Sequence, residues 1–151
     1  MLEQARALQC EADVVIADGP AGLKELTRAL LLVSNLALIP CGPSVLDVRA
    51  ASEAIRVVKQ AQSIRGGASE PLLVLNKVQA RFRLSRELSD AAARLDIPTA
   101  QATVGLRQAY PDAVGQGSVV WRMRPKATAA AEELERLFTE IQTRLQYGGE
   151  H

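Results

Sequence analysis

The chain has 151 residues, of which 48% are hydrophobic, with 18 Lys and Arg against 17 Asp and Glu. Such a hydrophobic fraction excludes a disordered chain, and the length suits one domain. The longest apolar run, Ala29–Val33, is far below the about 20 residues that span a membrane, and no secretory signal precedes it, so we expect a cytoplasmic protein without membrane contact.

Short, almost continuously apolar runs punctuate the chain and predict strands that are buried on both faces. They are Val14–Ala17, Leu36–Ile39 and Leu72–Leu75, and a weaker strand is expected at Pro98–Val104.

Segments with helical periodicity separate these runs. They are Leu23–Leu32, Asp47–Ser63 with Asp47 as a capping residue, Ser85–Leu95 with Ser85 as a cap, and Ala127–Leu145. The alternation predicts an α/β fold, an open parallel sheet flanked by helices, in one domain at 1–146 with a flexible tail at 147–151.

Metal and disulfide chemistry find little support in the sequence. Cys10 and Cys41 are the two cysteines, without a CxxC motif, and His151, the single histidine, stands at the chain end. We therefore expect two reduced thiols and no catalytic histidine.

The first apolar run ends in Asp18, Gly19, Pro20, Ala21 and Gly22. Ligands of open parallel sheets bind at the carboxyl ends of the strands. Asp18 would therefore be placed to hold Mg²⁺ through water beside a nucleotide phosphate. A capping aspartate in a strand-to-helix turn is an equally good interpretation of these five residues alone.

Longer blocks of sequence extend this pattern. They are Ala12–Gly22, Ile39–Ala51, Val74–Val78, Leu106–Val120 and Ala129–Leu134. In this order and spacing they resemble the switch II segment and the later motifs of ParA/MinD-type partitioning ATPases, over nearly the whole chain.

The resemblance implies roles for individual residues. Asp18 would be the Mg²⁺-associated switch II carboxylate, with Gly22 in the turn that senses the γ-phosphate. Asn76 would lie beside the adenine of ATP, and the loop that begins with Pro40 and Pro43 would lie near the nucleotide and the dimer interface. Asn76 could instead cap a strand end, and the prolines could simply shape a loop.

One family feature is missing from the sequence. ParA-type enzymes carry a Gly-rich phosphate-binding loop of the form KGGxGK(S/T), and no such stretch occurs here. The fold expected is therefore P-loop NTPase-like without its first strand, P-loop and first helix, and ATP hydrolysis by this chain alone is not expected. Uncovered apolar edges and faces should make the isolated chain self-associate or leave it only marginally soluble.

Basic residues concentrate in the second half of the chain. Residues 77–126 carry nine Lys or Arg against four Asp or Glu, a balance of +5. In ParA/MinD-type proteins such basic residues bind DNA without sequence preference. The resemblance therefore implies a DNA-binding role here for Lys77, Arg81, Arg83, Arg86 and Arg107. A solvated helix face is the alternative, and for Trp121 we expect packing rather than base stacking.

The combined expectation is part of a ParA-like ATPase for plasmid or chromosome partitioning or cargo positioning. The resemblance implies an ATP-dependent homodimer that binds non-specific DNA on the nucleoid and a ParB-like adaptor. The alternative is a non-catalytic module of the same fold that binds DNA or a partner.

Overall fold

The computed structural model describes residues 2–19, 24–65, 69–79, 93 and 95–147. Its regular elements follow in chain order. They are helix α1 (Leu2–Glu11), helix α2 (Lys24–Leu31), strand β1 (Leu36–Cys41), helix α3 (Val45–Arg65), strand β2 (Glu70–Leu75), helix α4 (Ala109–Gly115), a short 3₁₀ helix (Val120–Met123) and helix α5 (Thr128–Tyr147).

Strands β1 and β2 pair in parallel over their whole length, from Leu36 opposite Glu70 to Cys41 opposite Leu75. A parallel pair needs a long crossover, and α3 provides it. The parallel α/β arrangement predicted from the apolar runs is therefore present.

The segment after residue 97 runs beside β2 as an interrupted third strand. The amide of Leu73 donates to Pro98 O at 2.9 Å, and that of Val104 donates to Leu75 O at 2.9 Å. Parallel bridges join Leu73 to Thr99 and Val78 to Gly105. Between these two bridges the third segment has one more residue than the chain from Leu73 to Val78. The strand predicted at Pro98–Val104 is correct in place, but this extra residue breaks its ladder.

Side chains of β2 alternate between two apolar layers. Leu73 and Leu75 pack with α3, and Leu72 and Val74 pack with Leu137 of α5. The prediction of burial on both faces is thus correct for β2. It is wrong for β1, in which Leu38 is 46% exposed.

The first apolar run departs most from expectation. Residues 12–19 form no strand, and the side chains of Val14 and Ile16 are 55% and 86% exposed. An extended segment gains stability from a sheet only when a neighbouring strand takes its backbone hydrogen bonds. No strand in the described part of the chain pairs with this one, which accounts for the wrong prediction.

Helices α2, α3 and α5 lie where periodicity places them, each with bounds shifted by a few residues. The capping assignment of Asp47 was wrong: the amide of Asp47 donates to Ser44 Oγ at 3.0 Å, so Ser44 is the capping residue. Helices α1 and α4 were not predicted. The helix expected at Ser85–Leu95 falls outside the described residues except for 93 and 95, and so do residues 148–151 of the predicted tail.

Candidate functional site

The carboxyl ends of the three parallel segments meet at one edge of the sheet. The amide of Asn76 donates to Cys41 O at 2.9 Å, and the amide of Val78 donates to Val104 O at 3.0 Å. This hydrogen bonding brings Asn76 and the loop after β1 together, as the sequence predicts. We call this region the carboxyl edge.

Asn76 holds the turn that leaves β2. Its Oδ1 accepts a hydrogen bond from the amide of Lys77 at 2.8 Å, and Lys77 takes a positive φ of 56°. A non-glycine residue in this conformation is uncommon and concentrates at functional turns. Within the described part of the chain, the side-chain oxygen of Asn76 is hydrogen-bonded and its amide nitrogen is not.

The loop after β1 is organised by a side-chain pair at the start of α3. Ser44 Oγ donates to Asp47 Oδ2 at 2.5 Å while accepting the Asp47 amide. A Cβ on Gly42 would lie 2.7 Å from Asp47 Oδ2, so only glycine fits without displacing that carboxylate. The Cys41 thiol beneath is buried, and burial together with the Asp47 charge raises its pKa, which makes it unreactive.

The two predicted prolines occupy different positions. Pro43 lies in the loop, as expected, whereas Pro40 lies inside β1, opposite Val74. The carbonyls of Asn35 and Cys41 accept hydrogen bonds from backbone amides of Glu70 and Asn76. Because successive residues of a strand direct their backbone groups to opposite sides, the backbone of Pro40 faces away from β2. A proline there removes no ladder hydrogen bond, which corrects its assignment to the loop.

Asp18 is exposed on the irregular segment before α2. A Cβ on the adjacent Gly19 would lie 3.8 Å from Thr27 Oγ1, which places this segment beside α2. No hydrogen bond or ion pair joins Asp18 to the carboxyl edge among the described residues, and Gly22 lies outside them.

The magnesium expected from the resemblance can be tested against these donors. No cluster of three or more metal-binding side chains exists in the described ranges. Mg²⁺ keeps several waters and takes one or two carboxylates plus phosphate oxygens. The exposed carboxylate of Asp18 is one donor of the kind that Mg²⁺ takes, and the described residues bring no further carboxylate into a cluster with it.

A buried carboxylate, not foreseen from the sequence, organises the end of the third segment. Glu133 of α5 is 8% exposed. It accepts hydrogen bonds from Arg107 Nη2 at 2.7 Å, Tyr110 OH at 3.0 Å and the Gly105 amide at 3.1 Å. Burial opposes its ionisation, but these three donors outweigh burial and lower the pKa of Glu133.

The same contacts act on the donors. Burial, followed by the bond to Glu133, raises the pKa of Tyr110 to about 12. The hydrogen bond to Glu133 raises the pKa of Arg107. Tyr110 therefore remains a hydrogen-bond donor at physiological pH.

A second carboxylate of α5 serves the interrupted part of the third segment. Glu140 Oε2 accepts from the amides of Gln101 at 2.9 Å and Ala102 at 3.1 Å. Arg144 joins Glu140 to Glu70 of β2, with its nearest contact to Glu70 at 2.9 Å. A carboxylate of α5 thus accepts the backbone hydrogen bonds that a neighbouring strand would otherwise accept from this segment.

The predicted DNA-binding cations are only partly accounted for. Lys77 is exposed, and Arg107 is paired with Glu133. Arg81, Arg83 and Arg86 lie outside the described residues. Trp121 stacks on Phe138 with ring centroids 5.7 Å apart, which confirms that it packs within the protein.

No helix in the described part of the chain is both long and apolar enough to cross a membrane.

Comparison with known proteins gives one relevant similarity. The chain is 27% identical over 141 residues to "Maintenance of carboxysome distribution protein A" from Halothiobacillus neapolitanus (strain ATCC 23641 / c2). The matched region is 93% of this chain and 65% of that protein, so the chain spans about two thirds of its length. No protein-family model matches the chain. The similarity extends over most of the chain and supports the coarse assignment to ParA/MinD-like proteins.

Proposed function

We propose that this chain is part of a ParA-like ATPase that positions a cargo within the cell. The similarity to a carboxysome distribution protein over 93% of the chain carries this proposal. The carboxyl edge supports it, because Asn76 and the start of the loop that contains Pro43 and Ser44 meet where parallel sheets bind ligands.

In this proposal the nucleotide is shared between polypeptide segments. Asp18 contributes a carboxylate to nucleotide-bound Mg²⁺, Gly22 lies in the turn that senses the γ-phosphate, and Asn76 pairs with the adenine. A phosphate-binding loop must come from other polypeptide, because the sequence has none. ATP then favours a homodimer that binds DNA without sequence preference and recruits a ParB-like adaptor.

A chimera tests the proposal. The Gly-rich segment of a ParA-like protein is placed ahead of this chain, and ATP hydrolysis is measured with and without duplex DNA. We expect hydrolysis that requires Asp18, so that Asp18→Ala abolishes turnover while Asp13→Ala, an exposed neighbour on the same segment, preserves it. A folded chimera that binds ATP but gives equal rates for both variants would overturn the role of Asp18.

The second candidate is a non-catalytic module that binds DNA or a partner. The lack of a phosphate-binding loop anywhere in the sequence favours it. Calorimetry on the unmodified chain separates the candidates, because micromolar binding of Mg-ATP would exclude a module that has lost nucleotide binding.

DNA binding is tested by fluorescence anisotropy with a duplex of mixed sequence. The logarithm of affinity should fall by about 0.9 for each neutralised phosphate as the logarithm of salt rises. Lys77→Gln should reduce this slope by about one phosphate, whereas Arg107→Gln should change it less because Glu133 already neutralises that guanidinium. An unchanged slope for Lys77→Gln would remove Lys77 from the interface.

A further inference from the structure

A half-open cavity of about 360 Å³ lies between α2 and α3. It is lined by Arg28, Leu32, Gln60, Ala61, Ser63 and Ile64. This volume is at the lower end of the range for small-ligand sites.

The cavity lies at the opposite end of the sheet from the carboxyl edge. Helix α3 begins just after Cys41, the last residue of β1, and ends shortly before Glu70, the first residue of β2. The residues that line the cavity belong to the last turns of α3 and to the end of α2. Both of these helix ends lie near the amino ends of the two strands. A ligand here would not compete with a nucleotide.

Three of the six lining residues are apolar. Ala61 is 3% exposed and Ile64 is 75% exposed, and both belong to the lining. Leu32 completes the apolar lining. Covering these surfaces with an aliphatic group removes apolar area from water.

One cation stands beside this apolar surface. Arg28 Nη2 donates to Gln60 Oε1 at 3.2 Å, and this neutral amide is its only hydrogen-bond partner among the described residues. Gln60 holds one of the five guanidinium donors, and the others remain available to an anion. A carboxylate is a good partner for them because guanidinium and carboxylate match in geometry.

We propose that this cavity binds an aliphatic carboxylate, with the hydrocarbon against Leu32, Ala61 and Ile64 and the carboxylate on Arg28. An aliphatic group beside a carboxylate is found in short fatty acids and at the end of a peptide whose last residue is aliphatic. The site is separate from the proposed nucleotide function and does not depend on it.

The first test compares N-acetyl-leucine with N-acetyl-leucinamide, which differ only in the carboxylate. Methyl NMR shifts of Ala61 and Ile64 are followed during titration of the whole chain. We expect saturable shifts at both methyl groups and an affinity roughly fivefold higher for the acid. Equal affinities, or shifts scattered over the chain, would overturn the proposal.

Variants assign the preference to the cavity. Arg28→Gln should remove the difference between acid and amide, whereas Arg49→Gln, an exposed arginine at the other end of α3, should preserve it. Ile64→Ser should weaken both probes by a similar factor, about threefold. A preference for the acid that survives Arg28→Gln would place the carboxylate elsewhere and refute the site.

Hexanoate and the tripeptide alanyl-alanyl-leucine distinguish the two sources of this chemistry. Tighter saturable binding of hexanoate identifies a fatty acid, and tighter binding of the tripeptide identifies a peptide terminus; both support the proposal. Failure of both probes to saturate at the Ala61 and Ile64 methyl groups counts against it.

Discussion

The carboxylate of Glu133 lies 2.7 Å from Nη2 of Arg107, and 26 residues of sequence separate the two. The pair connects α5 to the end of the third parallel segment, and the Gly105 amide and Tyr110 hydroxyl converge on the same carboxylate. A side chain of the last helix therefore positions the residues beside Asn76 at the carboxyl edge.

Replacement of this carboxylate should destabilise the protein. Glu133→Gln removes the ion pair, and we expect a loss of about 1–2 kcal/mol, moderated because 42% of the Arg107 side chain is exposed to water. Glu132→Gln, on the exposed side of the same helix, should be nearly neutral. Urea denaturation measures both, and equal values would contradict the buried network.

The same pair predicts a pH dependence. Because the pKa of Glu133 is lowered in the folded protein, its contribution is present above the unfolded value of about 4.3 and is lost as pH falls through the lower folded value. The stability difference between the parent and Glu133→Gln should therefore shrink between pH 6 and pH 3. A constant difference over this range would show that the pKa is unchanged by folding.

Tyr110 should titrate at unusually high pH. In a Tyr147→Phe background it is the remaining tyrosine, and its ionisation followed at 295 nm should have a midpoint near 12. Glu133→Gln should bring the midpoint closer to the ordinary value of about 10. Since the folded pKa is raised, the associated stability is present below pH 10 and is lost between 10 and 12. An unshifted midpoint in both proteins would refute the contact.

Gly42 and Gly115 form a matched pair of glycines. Gly42→Ala places a methyl group 2.7 Å from Asp47 Oδ2 and should cost about 1 kcal/mol by disturbing the cap of α3. Gly115→Ala has open space and should be neutral or stabilising. Thermal unfolding tests both, and the cost of Gly42→Ala should largely disappear in an Asp47→Ala background.

The role of Glu140 is accessible to hydrogen exchange. Glu140→Ala removes the acceptor for the amides of Gln101 and Ala102, and we expect both to exchange at least about tenfold faster. The Ala100 amide, which donates to Leu73 O, is the internal control and should change little. Uniform acceleration of all three would indicate global destabilisation instead.

The exposed apolar run should drive self-association. Static light scattering of the parent chain should rise with concentration, and Val14→Ser combined with Ile16→Ser should reduce the effect. Val114→Ser, at a residue that is 79% exposed on α4, serves as the control. A parent chain that stays monomeric at high concentration would contradict this prediction.

Sequence reasoning succeeded where a local pattern coincided with tertiary packing. The run at Leu72–Leu75 is buried on both faces, and the periodicity of α3 and α5 matches their docking on the two faces of the sheet. It failed at Val14–Ala17, which is also entirely apolar, because apolar content does not say whether a neighbouring strand is present.

The candidate site was predictable only in part. Asn76 and the loop at Pro43 meet as the spacing implies, whereas the contacts of Glu133 span 23 to 28 residues and leave no periodic signal. Two neighbouring glutamates on α5 look alike in sequence, and only packing decides that Glu133 turns inward.

The two sides of the sheet differ in their capacity to recruit another chain. Carboxylates of α5 already occupy outward amides of Gln101 and Gly105. The outer backbone of β1 pairs with no described residue, and it offers no N–H at Pro40. Growth of a filament by strand addition needs two receptive sides on every molecule. With one side closed, edge-to-edge joining of folded molecules should stop at a pair, and longer polymers would first require α5 to detach.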